Sequence, residues 1–220
     1  MATRFTVREF TKSIIYDGSN DFVTLPIVPS VTSFSCAFWL KTPPLDVNDR
    51  IVDWQDAGPV NGFTFVQSSS GFQFVIRNDV TTVAAITASP LLRNGNWYFI
   101  VGTYEVNSVK LYINAIQNGS TDTSVTMTAA ATTLTIGRRA PSSSNYMNGL
   151  IDNFMFWNDK VLTQTEIDNL YYSDIVPSGL TTHLNFDDGV TDSSGSANNG
   201  TANGSPAYST DVRFKARTAL

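Results

Sequence analysis

Carboxylates are the reactive side chains this sequence supplies in quantity: Asp and Glu number 19, against a single histidine, His183, and a single cysteine, Cys36. Glycoside hydrolysis needs two of them on one strand face, roughly 5–9.5 Å apart. The pattern Glu-x-Asp-x-x-Glu that would place them so is absent, and the same-face neighbour of Asp152 in LIDNFMFWND is Phe154. One His and one Cys do not make the usual zinc ligand sets. A catalytic triad could draw only on His183, which the strand-like LTTHLNF makes a partly exposed strand histidine, and Cys36 lies in the apolar alternation FSCAFWL, where a thiol is buried rather than reactive. Calcium fits better, because it takes roughly six to eight hard oxygens from carboxylates, amides and carbonyls. Loops rich in Asp, Asn and Gly offer such groups, and Asp188 and Asp192 in DDGVTD form one cluster.

Charge narrows the partners. Lys and Arg number 14, the net charge is -5 and the isoelectric point is near 4.7, which argues against a chain that neutralises many phosphates, so nucleic acid is not expected. No apolar run approaches the roughly 20 residues of a membrane-spanning helix, so no membrane insertion is expected. The opening MATRFTVREFTKS lacks the apolar core of a secretory leader.

The elements that must position these groups repeat every two residues. Phe34, Cys36, Phe38 and Leu40 alternate with Ser35, Ala37 and Trp39, as a pleated strand requires. Strands are likewise expected at 63–66 and 72–76, joined through QSSSG as a hairpin, and at 97–104, 109–113, 134–136 and 151–157. Many short strands without interleaved helices predict an all-β, two-sheet antiparallel jelly-roll sandwich. One short helix is expected near 163–171, where Thr163 and Glu166 have capping-box spacing and Ile167, Leu170 and Tyr171 recur at helical spacing. Residues 187–205 read as a long surface loop before a last strand at 207–214, and residues 1–220 as one domain. Both termini mix basic with apolar residues, as docking arms or edge strands do.

Six segments in order resemble the laminin-G-like domains of the concanavalin A-like lectin/glucanase superfamily, which includes pentraxins: SIIYDGSNDFV, SFSCAFWLK, NGNWYFIVGTYE, VKLYINAIQNGS, LTIGRR and NGLIDNFMFWNDKVLTQTEI. Three departures stand out. LNFDDGVTDSSGSANNGTANG resembles the segment that usually precedes the first strand but lies at 184–204, which implies a circular permutation with residues 184–214 supplying a loop and a last strand. Asn114-Ala115 replaces the usual Asp-Gly of a hairpin, and Ile100 stands where the family usually has His.

The resemblance implies a jelly roll and a recognition function rather than an enzyme. It implies calcium near the first strand pair and the late "I-D" strand, on Asp17, Asp21 and Asp152, with Asp188 and Asp192 a second cluster that could contribute and that is expected, with Trp54 and Tyr146, to bind ligand. Asp17-Gly18 is equally explained as a tight turn in which the aspartate bonds the backbone. It also implies glycan binding, for which Trp54 and Tyr146 have the most polar neighbourhoods of the aromatics, while Trp97 falls where the family has its inter-sheet tryptophan. The expected function is a non-catalytic recognition module for carbohydrate or a cell-surface ligand, calcium-assisted and facing the extracellular side. The alternative is a virion structural protein, a decoration, fibre or tail component whose partners are other subunits, which the missing leader favours.

Overall fold

A computed structural model describes residues 11–43, 49–57, 61–68, 71–78, 82–88, 92, 95–130, 132–142 and 144–213. Residues 1–10 and 214–220, and with them most of both expected arms and Phe214, lie outside the described residues. The strands, in chain order, are β1 (Ser13–Asp17), β2 (Phe22–Leu25), β3 (Ser33–Lys41), β4 (Arg50–Gln55), β5 (Gly62–Ser68), β6 (Gly71–Asn78), β7 (Thr82–Ala88) and β8 (Trp97–Glu105). There follow β9 (Ser108–Ile113), β10 (Ile116–Asp122), β11 (Leu134–Ile136), β12 (Asn148–Asn158), helix α1 (Gln164–Asp168), β13 (Thr182–Leu184), β14 (Thr201–Asn203) and β15 (Ala207–Ser209).

They form two antiparallel sheets. Sheet A runs β10-β9-β8-β3-β12-β1-β15, with β13 also paired to β12, and sheet B runs β14-β2-β11-β4-β5-β6-β7. Alternation decides what each face buries. Phe34, Cys36, Phe38 and Leu40 of β3 meet Phe63 and Phe65 of β5 and Phe72 and Phe74 of β6 in the core between the sheets. Each such ring contributes about 1.5–3 kcal/mol by leaving water. Phe65 and Phe74 stack with centroids 4.5 Å apart, and Gly102 of β8 makes room, since a Cβ there would fall 2.4 Å from Phe65 Cζ.

A second apolar layer covers the outer face of sheet A. Ala37, Trp39, Phe99, Val101, Met155 and Trp157 pack there under Leu162, Ile167 and Leu170. The helix begins as its sequence requires: Thr163 Oγ1 accepts the Glu166 N–H at 3.3 Å and Glu166 Oε2 accepts the Thr163 N–H at 2.9 Å. It then widens into a π-type turn at Asn169–Ser173. Trp97 packs against this outer layer and donates its indole N–H to Asp211 at 3.1 Å, so it is not an inter-sheet residue.

The strand β12 carries a bulge. Its register against β3 slips between Asp152 and Met155, and Asn153 there adopts φ 55°. Ile151 and Phe154 consequently both face the core, while Asp152 and Met155 face out. His183 of β13 is buried rather than partly exposed, with its Nε2 against Asn153 Oδ1. β13 and the expected last strand, β15, join sheet A beside β12 and β1; within 187–205, expected as loop, β14 joins sheet B beside β2. At the β9–β10 hairpin both Asn114 and Ala115 take positive φ, 52° and 67°, the geometry an Asp-Gly or Asn-Gly turn would supply. No described helix is long and apolar enough to cross a membrane.

Candidate functional site

The outer face of sheet B is where polar side chains gather. Phe72, Phe74 and Ile76 of β6 point into the core, which turns Val75 and Arg77 outward; Val52 and Trp54 of β4 do the same for Asp53 and Gln55. Strand registers then align Thr24, Thr135, Asp53, Thr64 and Val75 in one row across five strands, and Gln55, Gly62 and Arg77 in the next. Trp54 itself is fully buried, with its indole N–H donated to the Thr132 carbonyl at 3.0 Å, so it presents no face to a sugar.

Residues 138–146 fold over this row. The Ala140 N–H donates to Asp53 Oδ1 at 2.9 Å, the Thr135 hydroxyl donates to the Arg138 carbonyl at 2.9 Å, and the Arg50 N–H donates to the Asn145 carbonyl at 3.2 Å. Beside Asp53 they leave a cleft of about 250 Å³ lined by Ala57, Arg139, Pro141 and Ser142. Farther along the same segment Tyr146, half-buried, lies 6.4 Å from Phe22, whose ring also carries the Arg138 guanidinium at 3.9 Å.

Asp53 is fully buried, and burial pushes its carboxyl above the usual range, with the Ala140 N–H and the Arg50 guanidinium pulling it back in part. Its Oδ2 makes no hydrogen bond: Arg50 Nε approaches only to 4.0 Å, and the Thr64 hydroxyl is donated to the Val52 carbonyl at 3.1 Å. Gln55 Nε2 and the Nε atoms of Arg50, Arg77 and Arg139 are also buried without hydrogen-bond partners. Such unsatisfied polar atoms are rare in folded proteins, and a group of them on one face marks a place where a ligand or ordered water completes the bonding.

The expected metal ligands do not converge. Asp17 is exposed at the end of β1, where the N–H groups of Ser19 and Asn20 donate to its Oδ1 at 2.8 and 3.2 Å, and Gly18 takes φ 78°. These bonds, that from Ser19 foremost, hold its carboxyl below the usual range, so the turn explanation accounts for it. Asp21 is buried and accepts the Ser205 N–H at 3.0 Å, which ties the β14–β15 turn to the start of β2. Asp152 stands on the outer face of sheet A, opposite Trp39. Among the described residues no three His, Cys, Asp or Glu side chains are grouped to hold a metal ion.

Asp188 is exposed, and its carbonyl accepts from the Thr191 hydroxyl at 3.3 Å. Asp192 organises its own loop: it accepts the N–H groups of His183, Ser194 and Asn198 at 2.8–2.9 Å and the Ser194 hydroxyl at 2.9 Å. Partial burial pushes its carboxyl up, but these bonds hold it below the usual range. Of the residues expected to bind a ligand, Tyr146 is half-buried against Phe22, Trp54 is buried in the core, Asp188 is exposed and Asp192 is bonded within its own loop.

Sequence reasoning passed over Asp53, Gln55, Arg50, Arg77 and Arg139. The signal was present in RIVDWQ and GFQFVIRN: once the aromatic residues are assigned to the core, alternation sends Asp53, Gln55 and Arg77 to the opposite face. Arg139 had no such signal, because it sits in a loop whose course is set by Asp53 and Ser144, the latter accepting its N–H at 3.2 Å.

Two antiparallel sheets packed around one aromatic core form a concanavalin A-like sandwich. Residues 17–168 match the laminin-G family model of the Concanavalin A-like lectin/glucanases superfamily, and the chain belongs to that family. No curated protein sequence matches it. Among solved structures it is similar to the native heptameric SAP-like pentraxin from Limulus polyphemus, with TM-score 0.66, 14% identity, and 92% of this chain and 96% of that one covered. A candidate carbohydrate binding protein from Bacteroides ovatus gives TM-score 0.66, 16% identity and coverages of 90% and 59%. Domain 4 of AbnA, an extracellular arabinanase from Geobacillus stearothermophilus solved with arabinotriose, gives TM-score 0.58, 16% identity and coverages of 72% and 76%. At these identities the likeness is one of fold.

Proposed function

We propose that this domain is a non-catalytic carbohydrate-recognition module whose ligand lies in the cleft on the outer face of sheet B. The observation that carries this reading is the set of buried polar atoms without partners, Asp53 Oδ2, Gln55 Nε2 and the Arg139 Nε, where Arg139 lines the cleft and the half-buried Tyr146 ring belongs to the same 138–146 segment. Sugar hydroxyls both donate and accept, and a sugar's C–H face packs on an aromatic ring, so a saccharide meets both needs together. Two similar folds, the Bacteroides ovatus protein and the AbnA domain, carry carbohydrate in their descriptions. The absence of a paired carboxylate across the row supports binding over hydrolysis: the neighbours of Asp53 on either side are Thr135 and Thr64. No metal enters this reading.

The test is a glycan array with the intact protein, repeated with Tyr146→Ala after its fold is checked by circular dichroism. Binding to a defined set of glycans, weakened several-fold in the variant, is the expected result. An array without binders, together with a defined higher-order particle in light scattering, would move the protein to the assembly reading, a virion component among them.

A further inference from the structure

After β15 the chain crosses the outer face of sheet A as a short strap. Side chains two residues apart in an extended segment point the same way, and Asp211 and Arg213 use that spacing to reach two successive rows of the sheet. In the first row Lys41 is paired with Trp97; Asp211 Oδ2 lies 2.5 Å from Lys41 Nζ, and its Oδ1 accepts the Trp97 indole N–H at 3.1 Å. In the next row Trp39 is paired with Phe99 on one side and Asp152 on the other. There the Arg213 guanidinium lies 4.9 Å from the Trp39 ring centroid and donates through Nη2 to Asp174 at 2.6 Å. Tyr171 stacks on the same indole at 5.6 Å, and the Arg213 side chain is only 3% exposed.

Two features set this apart from a segment that merely packs on a sheet. The strap is held by side chains: among the described residues strand pairing stops at Ser209, and beyond it the Ser13 hydroxyl donates to the Asp211 carbonyl at 2.7 Å. Ion pairs with partly exposed partners, as Asp211 and Asp174 are, hold weakly, so such a segment opens while the sheet stays folded. Beneath the strap, both Asp152 carboxyl oxygens and the Trp39 indole nitrogen are buried without hydrogen-bond partners. Unmade bonds of this kind cost stability, and an apolar side chain, such as Met155 in the following row, would fill the place without that cost. A carboxylate beside an indole face is instead what selects a guanidinium.

We infer that the outer face of sheet A is a peptide-binding site that reads a carboxylate and a guanidinium two residues apart, and that residues 211–213 are its tethered ligand. An extended Asp-x-Arg segment of a partner protein takes the same place once the strap lifts, with its carboxylate on Lys41 and Trp97 and its guanidinium on Trp39 and Asp174. This site lies on the other sheet from the carbohydrate cleft and does not depend on it.

The probe is the peptide acetyl-Ser-Thr-Asp-Val-Arg-amide, a copy of residues 209–213. It is titrated by calorimetry into wild type and into the intact chain carrying Asp211→Asn and Arg213→Gln, whose fold is checked by circular dichroism. The variant should bind the peptide roughly tenfold or more tighter than wild type, whose site is filled, and the binding should weaken as salt rises. A peptide with Gln in place of its Arg should bind the variant roughly tenfold more weakly. Hydrogen exchange of the wild-type protein is the second measurement: the amides of Val212 and Arg213 should exchange roughly a hundredfold or more faster than the central amides of β3. A folded variant that does not bind the peptide, or that binds the Gln peptide equally well, overturns the inference. Protection of Val212 and Arg213 equal to that of β3 makes the strap a fixed part of the fold and overturns it too, whether or not the variant folds.

Discussion

The Asp152 carboxyl should make this fold less stable as the solution becomes less acidic. It is fully buried on the outer face of sheet A. Above it lies Arg213, whose guanidinium sits 4.9 Å from the Trp39 ring centroid and bonds Asp174 at 2.6 Å. Burial pushes Asp152 up to about 7 from an ordinary 3.8; Arg213 and the backbone of Asn153 draw it down, and the charge of Asp187 pushes it further up. Between those two values the folded state holds a proton that the unfolded state has released. Stability therefore falls as pH rises from about 4 to about 7, and the group contributes nothing to the slope below that window. At about 1.36 kcal/mol per unit, the shift from 3.8 to about 7 corresponds to a penalty of about 4 kcal/mol at pH 8, on the order of 10 °C in melting temperature for a chain this size. Replacing Asp152→Asn keeps the shape and removes the titration. Urea unfolding of both proteins from pH 4 to 8 isolates it, because every other carboxylate cancels in the difference. The two should match near pH 4 and diverge as pH rises, the variant gaining up to about 4 kcal/mol. A difference that stays flat across this range, or a variant that loses stability at pH 8, would refute the reasoning.

Two further outcomes follow from the packing and the loops. Gly102→Ala puts a methyl group against Phe65 Cζ in a filled core, so chemical denaturation should show a loss of about 1–3 kcal/mol. Asp192→Ala leaves the N–H groups of His183, Ser194 and Asn198 without their acceptor, and thermal unfolding should show a loss of about 1–3 kcal/mol that added calcium does not restore, in wild type or variant; a calcium-dependent rise in melting temperature abolished by the substitution would instead return Asp192 to a metal site.

The strands were readable because a period of two is a local property. Phe34 to Leu40, Phe63 to Phe65 and Phe72 to Ile76 declare their buried faces by alternation, and the Thr163–Glu166 capping box declares the helix start from side chains three residues apart. The same rule, carried one residue further, would have turned Asp53 outward and Trp54 inward. A polar neighbourhood in sequence was a poor guide there, because in a strand the flanking residues lie on the opposite face. Trp97 misled for a related reason: a tryptophan at the end of an apolar strand fits either face, and only the helix packed outside sheet A decides which.

From its residues alone, then, this protein determined its class, its antiparallel sandwich, its short capped helix and the burial of Cys36, because each depends on patterns that span fewer than about ten residues or on family order along the chain. What the tertiary structure decided was convergence. Asp53 and Gln55 of β4 and Arg77 of β6 are set on one face by strand registers, and the loop after β11 closes onto Asp53 through the Ala140 N–H. Asp17 is taken up by its own turn, Asp21 by the closure onto Ser205, and Asp152 stands on the outer face of sheet A. Side chains remote in sequence meet only through the pairing of whole strands, and that pairing is a property of the packed molecule rather than of any segment.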